Sequence, residues 1–158
     1  MKKLLVIHGP NINLTGIREP GVYGSETIDQ INREIESYCE KEGFSCRICQ
    51  SNHEGQIIDW LHEAMGNYDG IILNAGAYTH YSYAIHDAIA AIRIPTVEVH
   101  FSNIQARADF RHTSVIAPVC VGSIAGFSKN QLSAGCGRFQ KNPGIIFAIR
   151  VAKSRDIR

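Results

Sequence analysis

The sequence contains no run of eighteen apolar residues, so no segment is long enough to cross a bilayer as a helix. It also has no GxGxxG and no GxxxxGK followed by Ser or Thr, so the usual cradles for dinucleotide and nucleotide phosphates are missing. No GxSxG is present, which removes the nucleophile elbow of the hydrolases. Seven histidines invite a metal, but HExxH is absent: His53-Glu54-Gly55 and His62-Glu63-Ala64 both break off before the second histidine. Lysine is scarce. Residues 1–126 hold only Lys2, Lys3 and Lys41, none of them close to the site described below, which argues against a desolvated catalytic lysine.

Cysteine is few and odd in number: Cys39, Cys46, Cys49, Cys120 and Cys136. Met1-Lys2-Lys3 precedes only Leu4-Leu5-Val6-Ile7, too short for the apolar core of a signal peptide. Free thiols and a cytoplasmic location are therefore expected. Cys46 and Cys49 form a CxxC, but within a strand residues three apart face opposite sides, and no second CxxC completes a zinc site. The pair reads as structural.

What remains is an ordinary globular composition, 44% hydrophobic and 20% charged over 158 residues. That length suits one domain spanning 1–158, without repeats or low-complexity linkers. The net charge of +1 conceals a division. Residues 1–126 carry 9 Lys/Arg and 14 Asp/Glu, whereas 127–158 carry 7 Lys/Arg and Asp156 alone. This basic end is atypical. Ser133–Gly144 is poor helix material with Gly135, Gly137, Pro143 and Gly144, and Ile145–Ile149 suits either a strand or a short helix. Without an aromatic platform it reads as a solvated or subunit-contacting terminus rather than a nucleic-acid patch.

Strand and helix signals alternate through the body. Leu4–His8, Phe44–Cys49, Gly70–Leu73, Pro95–Val99 and Val115–Val121 read as strands. Thr27 and Gln30 make a capping-box pattern before Ile28, Ile31, Ile35 and Cys39 at helical spacing, with Gly43 as the stop. A second helix is expected over His53–Met65, burying Ile57, Ile58, Leu61 and Met65. A third covers Ser82–Ile92, burying Ala84, Ile85, Ala88, Ile89 and Ile92, and a short helical piece covers 103–110. The alternation implies an α/β domain: a flavodoxin-like, doubly wound, five-stranded parallel sheet of order 2-1-3-4-5 with helices on both faces.

Such sheets bind ligands beyond the carboxyl ends of their strands. Those ends collect polar side chains: Asn11, Asn13, Arg18 and Tyr23 after strand 1, Asn74, Gly76 and His80 after strand 3, and Glu98, His100, Ser102, Arg107 and Arg111 on and after strand 4. Glu98 and His100 stand two apart on one strand face, where a carboxylate can fix an imidazole as acid or base. A partly buried ion pair fits the same spacing. Arg18 and Tyr23 share a Gly/Pro-rich loop long enough to close over a ligand, and a guanidinium would lower the tyrosine pKa from about 10. Two exposed loop residues fit equally well. Tyr78, Tyr81 and Tyr83 read as packing or subunit contacts.

Six ordered blocks carry a resemblance: Gly9–Leu14, Gly16–Gly24, Ser51–Gly55, Leu73–His80, Val97–Asn103 and Phe110–Ser114. In order and spacing, from residue 4 to about 126, they resemble the type II 3-dehydroquinate dehydratases. The resemblance implies dehydration of 3-dehydroquinate to 3-dehydroshikimate in the shikimate pathway of aromatic amino acid biosynthesis, by anti elimination through an enolate. It implies Tyr23 as the base at C2, Arg18 as support for the tyrosinate, His100 as the acid for the C1 hydroxyl, and Asn11 beside an ordered water at the enolate oxygen. Asn74, His80, Arg111 and the backbone of Phe101 and Ser102 match substrate-binding positions. Asp87 matches one that reaches a neighbouring subunit's site in a homododecamer built of trimers. No cofactor or metal is implied. His8 and His86 stand where the family more often has Asn and Arg, and beyond Phe127 the likeness fades. The competing reading is a flavodoxin-like FMN-binding carrier, for which Gly9-Pro10-Asn11 lacks phosphate-binding hydroxyls.

Overall fold

A computed structural model describes residues 1–17 and 26–126. The expectations for 127–158, including Ser133–Gly144, Ile145–Ile149 and Cys136, lie outside the described residues, as do Arg18 and Tyr23. Five strands form one parallel sheet: β1 (Lys2–His8), β2 (Phe44–Gln50), β3 (Gly70–Asn74), β4 (Thr96–His100) and β5 (Gly122–Ala125). Their order is 2-1-3-4-5, the flavodoxin-like order. Three helices, α1 (Ile28–Lys41), α2 (Glu54–Glu63) and α3 (Tyr83–Ile92), connect the first four strands. Among the described residues, no helix is long and apolar enough to cross a membrane.

Successive strand residues point to opposite faces, and this divides the core in two. Leu4, Val6, Ile72, Val97 and Val99 pack under α1 through Ile31, Ile35 and Cys39. Leu5, Ile7, Ile71 and Leu73 meet α2 and α3 through Ile57, Leu61, Ile85 and Ile89. Cys46 packs with the first group and Cys49 with the second, so the two thiols of the CxxC face opposite sides. Both are free, as are Cys39 and Cys120.

Local signals set the helix ends. The Thr27 hydroxyl accepts the Gln30 amide, and the Gln30 side chain accepts the Thr27 amide at 2.9 Å, a reciprocal cap worth about 1 kcal/mol. Gly43 then turns the chain at φ +81°. Helix α2 stops earlier than its pattern suggests. Gly66 adopts the left-handed region, and Asn67 after it donates its side-chain amide to the Glu63 carbonyl at 2.8 Å. Met65 thus leaves the helical phase and is exposed, and Ala64 is buried instead. Ala84, expected inside, is exposed because it precedes the buried Ile85, Ala88, Ile89 stripe by one position.

The fifth strand also differs from the expected Val115–Val121. The Ser114 hydroxyl accepts the Ala117 amide, and Pro118, which has no N–H to give a ladder, sits in a 3-10 turn over Ala117–Val119. Ile116 is buried against the α2–α3 face, and β5 begins only at Gly122, pairing Ser123 with Glu98. The expected helical piece over 103–110 is two 3-10 turns, Ile104–Ala106 and Asp109–Arg111.

His8 ends β1 fully buried. Its Nε2–H donates to Asn32 Oδ1 of α1 at 3.0 Å, while Nδ1 has no hydrogen-bond partner among the described residues. Burial outweighs the Asn32 contact and lowers the pKa from 6.5 to about 4. The unfolded chain therefore binds a proton below pH 6.5 that the folded chain refuses until about pH 4. Stability from this group is complete above pH 6.5 and is lost as pH falls towards 4, on the order of 3 kcal/mol in all. Denaturant titrations at pH 7 and 4.5 should show a smaller loss in His8→Asn than in the parent; an equal loss would show that another group is responsible.

Candidate active site

The carboxyl ends of β1, β3 and β4 open onto one cleft of about 140 Å³. Its first wall comes from the turn after β1. The Gly9 amide donates to the Asn74 carbonyl at 2.7 Å, which carries the β1–β3 pairing past the strands. The fit admits only glycine: a Cβ at position 9 would lie 2.6 Å from the Ala75 carbonyl group. Gly76 answers from the other loop at φ +58°, where a Cβ would come within 3.1 Å of the Pro10 oxygen. Each loop is thus seated on the backbone of the other.

Asn11 follows in the left-handed conformation at φ 65°, which asparagine tolerates better than most residues. Its amide is held by Asn52 Oδ1 at 3.0 Å. Gln50 Nε2 donates to the same oxygen at 3.0 Å and to the Gly9 carbonyl at 3.2 Å, and the Tyr78 hydroxyl donates to the Asn52 carbonyl at 2.9 Å. The loop after β2 therefore braces the loop that carries Asn11.

The second wall belongs to β3 and the segment after β4. Asn74 is buried, with Oδ1 accepting the Gly76 amide at 3.2 Å. His80 Nδ1–H donates to the Thr113 carbonyl at 2.7 Å, which in the neutral ring leaves Nε2 as an acceptor. The Phe110 ring stands edge-on to His80 at 6.0 Å, and the Arg111 guanidinium lies 4.8 Å from the centre of that ring. This fixes the Arg111 side chain by a cation–π contact. Arg107 and Arg111 line the cleft and no carboxylate does so among the described residues, so the cleft suits an anion.

The third wall holds the acid–base chemistry. His100 lines the cleft, and its Nε2 lies 2.8 Å from Glu98 Oε1 behind it. Ser114 Oγ–H donates to the same oxygen at 2.8 Å. Glu98 is fully buried, and burial alone would raise its pKa. The bond and charge of His100, with the Ser114 and Ser123 hydroxyls nearby, outweigh burial and hold the carboxyl below its usual range. The carboxylate anchors Nε2, so Nδ1 is the His100 nitrogen left for the cleft. Phe101 and the buried Ser102 continue this wall.

The structure therefore brings Asn11, Asn74, His80, His100, Phe101, Ser102 and Arg111 to one cleft, with Glu98 directly behind. It does not bring Asp87 there: the side chain is exposed on α3 and pairs with His86 Nδ1 at 3.0 Å. Arg18 and Tyr23 lie outside the described residues. Strand-end reasoning gave no role to Ile12, Leu14, Thr15 and Ile104 in the lining, nor to Ser114, Asn52 and Gln50 behind it. Among the described residues no three His, Cys, Asp or Glu side chains converge as metal ligands.

Comparison with known proteins narrows the chemistry. The family model described as dehydroquinase class II matches residues 2–137, past the point where the motif blocks end. The chain is 59% identical over 128 residues to the 3-dehydroquinate dehydratase of Caldicellulosiruptor bescii, covering 80% of this chain and 88% of that one. It is 54% identical over 132 residues to that of Trichodesmium erythraeum, covering 84% and 88%. The crystal structure of type II dehydroquinase from Butyrivibrio crossotus superposes with a TM-score of 0.85 at 45% identity, covering 96% of this chain and 97% of that one.

Proposed function

The chain belongs to the class II dehydroquinase family and is a carbon–oxygen lyase that dehydrates 3-dehydroquinate; we propose that it does so by anti elimination through an enolate, with Tyr23 as base and His100 as acid. Tyr23, as its phenolate, takes a proton from C2 beside the ketone, and Arg18 stabilises that phenolate. The electron pair left at C2 delocalises onto the ketone oxygen. An ordered water held at Asn11 donates to this oxygen and supports the enolate charge. His100 then gives its Nδ1 proton to the C1 hydroxyl, which departs as water while the enolate collapses to the conjugated enone. One proton and one hydroxyl leave, and no electrons are exchanged with a cofactor.

The single observation that carries this reading is the Glu98–His100 couple at the wall of a cleft lined by arginines. It supplies an oriented proton donor where a poor leaving group must depart. Asn74, His80 and Arg111, with the Phe101 and Ser102 backbone, bind the hydroxyls and carboxylate of the substrate. Asp87, exposed on α3, reaches the site of a neighbouring subunit in a dodecamer built of trimers. The reaction belongs to the shikimate pathway, and we assign the enzyme to the cytoplasm. The FMN-carrier reading is not favoured, since the family match concerns a lyase over most of the chain.

The test is direct. Purified protein mixed with 3-dehydroquinate should develop the ultraviolet absorbance of an enone conjugated to a carboxylate, at a rate proportional to enzyme. A folded oligomer that gives no absorbance would sink the proposal, and a bound flavin would revive the alternative.

A further inference from the structure

We propose that Ser114 is a positioning residue for His100, acting through Glu98; this rests on the reading of His100 as the acid. Two donors converge on one carboxylate oxygen, His100 Nε2 and Ser114 Oγ, each 2.8 Å from Glu98 Oε1. The other oxygen, Oε2, is buried and has no hydrogen-bond partner among the described residues. Among the described residues, the two close donors to this carboxylate therefore sit on one oxygen. Without Ser114, Glu98 keeps only the imidazole it is meant to orient and the weaker support of the Ser123 hydroxyl. The serine is itself fixed. The Ala117 amide donates to Ser114 Oγ at 2.9 Å, which occupies a lone pair and turns the hydroxyl proton towards Glu98. The relay thus runs from backbone amide to hydroxyl to carboxylate to imidazole, and its starting point is the 3-10 turn at Ala117.

Charge argues in the same direction. A carboxyl sealed from water prefers to be neutral, and a protonated Glu98 would be a donor where His100 needs an acceptor. The groups facing it are few. On β4 there is His100, and on β5 Ser123 in register with Glu98. From the segment before β5 come Ser114 and Cys120, whose thiol is pushed up to about 12 by burial and by the Glu98 charge. From β3 the registered neighbour is the apolar Leu73. Apart from His100, stabilisation of the anion falls on the Ser114 and Ser123 hydroxyls, and Ser114, 2.8 Å from Oε1, contributes more than Ser123.

Steady-state kinetics across pH tests this with Ser114→Ala and Ser114→Thr. Ser114→Ala should lower kcat by roughly 10- to 100-fold, the worth of one hydrogen bond to a buried charge, with KM nearly unchanged. Its acid limb in kcat should move to higher pH, because Glu98 would protonate sooner. Ser114→Thr, which keeps the hydroxyl, should recover most of both. A merely structural serine would lower the melting temperature and leave the pH profile where it was. If Ser114→Ala does not fold, Ser114→Cys takes its place, and a full kcat with an unmoved acid limb in the folded variant overturns the proposal. Normal kinetics in Ser114→Ala beside an inactive His100→Ala overturns the positioning role alone. Normal kinetics in His100→Ala removes the acid assignment beneath it.

Discussion

His100→Ala is expected to lower kcat by roughly 10²- to 10⁴-fold, the usual contribution of a positioned general acid, while KM changes little. The reason lies in the leaving group. Hydroxide departs poorly from carbon unless it is protonated as the bond breaks, and the His100 ring presents its second nitrogen to the cleft while Glu98 holds the first at 2.8 Å. The ring is almost fully buried and Ser114 still holds the Glu98 carboxylate in its absence, so the folded state of the variant is to be checked by its melting temperature. A second measurement separates the two halves of the reaction. In D₂O the variant should still exchange the C2 hydrogen of 3-dehydroquinate, because the enolate forms and returns without losing hydroxide. Near-normal kcat, or loss of exchange together with turnover, would contradict the assignment.

Tyr23→Phe is expected to cost at least as much, roughly 10²- to 10⁴-fold in kcat, and to abolish the C2 exchange that His100→Ala retains. Phenylalanine keeps the ring and removes only the oxygen, so a change in packing is a poor explanation for any loss. A phenol near its reference pKa of about 10 would be a weak base at neutrality, and the pairing with Arg18 is what would bring it into range. Arg18 and Tyr23 are five residues apart in the sequence, so such a pairing would be local. If Tyr23→Phe exchanges C2 hydrogen at the parental rate, the base is a different group. The two variants together assign each proton transfer to its residue, which neither does alone.

Much of this architecture was legible because the forces behind it are local or periodic. Alternating strand and helix patterns lead to the 2-1-3-4-5 sheet. The Thr27–Gln30 cap is a three-residue device, and Glu98 and His100 meet because strand geometry puts i and i+2 on one face. What escaped depends on partners far along the chain. Asn52 grips the amide of Asn11, Asn32 the ring of His8, and Ser114 the carboxylate of Glu98. No periodicity encodes such pairs, since they exist only after whole elements have packed. The late start of β5 has a related cause. Val115, Ile116 and Val119 are apolar enough for a strand, but Pro118 and the Ser114–Ala117 bond turn them onto the α2–α3 face instead. Met65 likewise obeys the helical period and misses the core because Asn67 and Gly66 end the helix first.

The mutual seating of Gly9 on Ala75 and Gly76 on Pro10 sets where this enzyme can be redesigned. Widening a pocket means trimming side chains, and a glycine offers nothing to trim. At these two positions nothing can be cut back, and little can be built out: a Cβ at 9 would lie 2.6 Å from the Ala75 backbone, and one at 76 would lie 3.1 Å from the Pro10 oxygen on a backbone with φ +58°. The facing wall is made differently: Ile104 and Arg107 contribute long side chains from the short turns after β4. Room for a bulkier ring substituent is therefore to be made at side-chain positions such as 104 and 107, not at the two glycines. Libraries that vary 104 and 107 change the lining directly, whereas any side chain at 9 or 76 first strains the contact between the two loops.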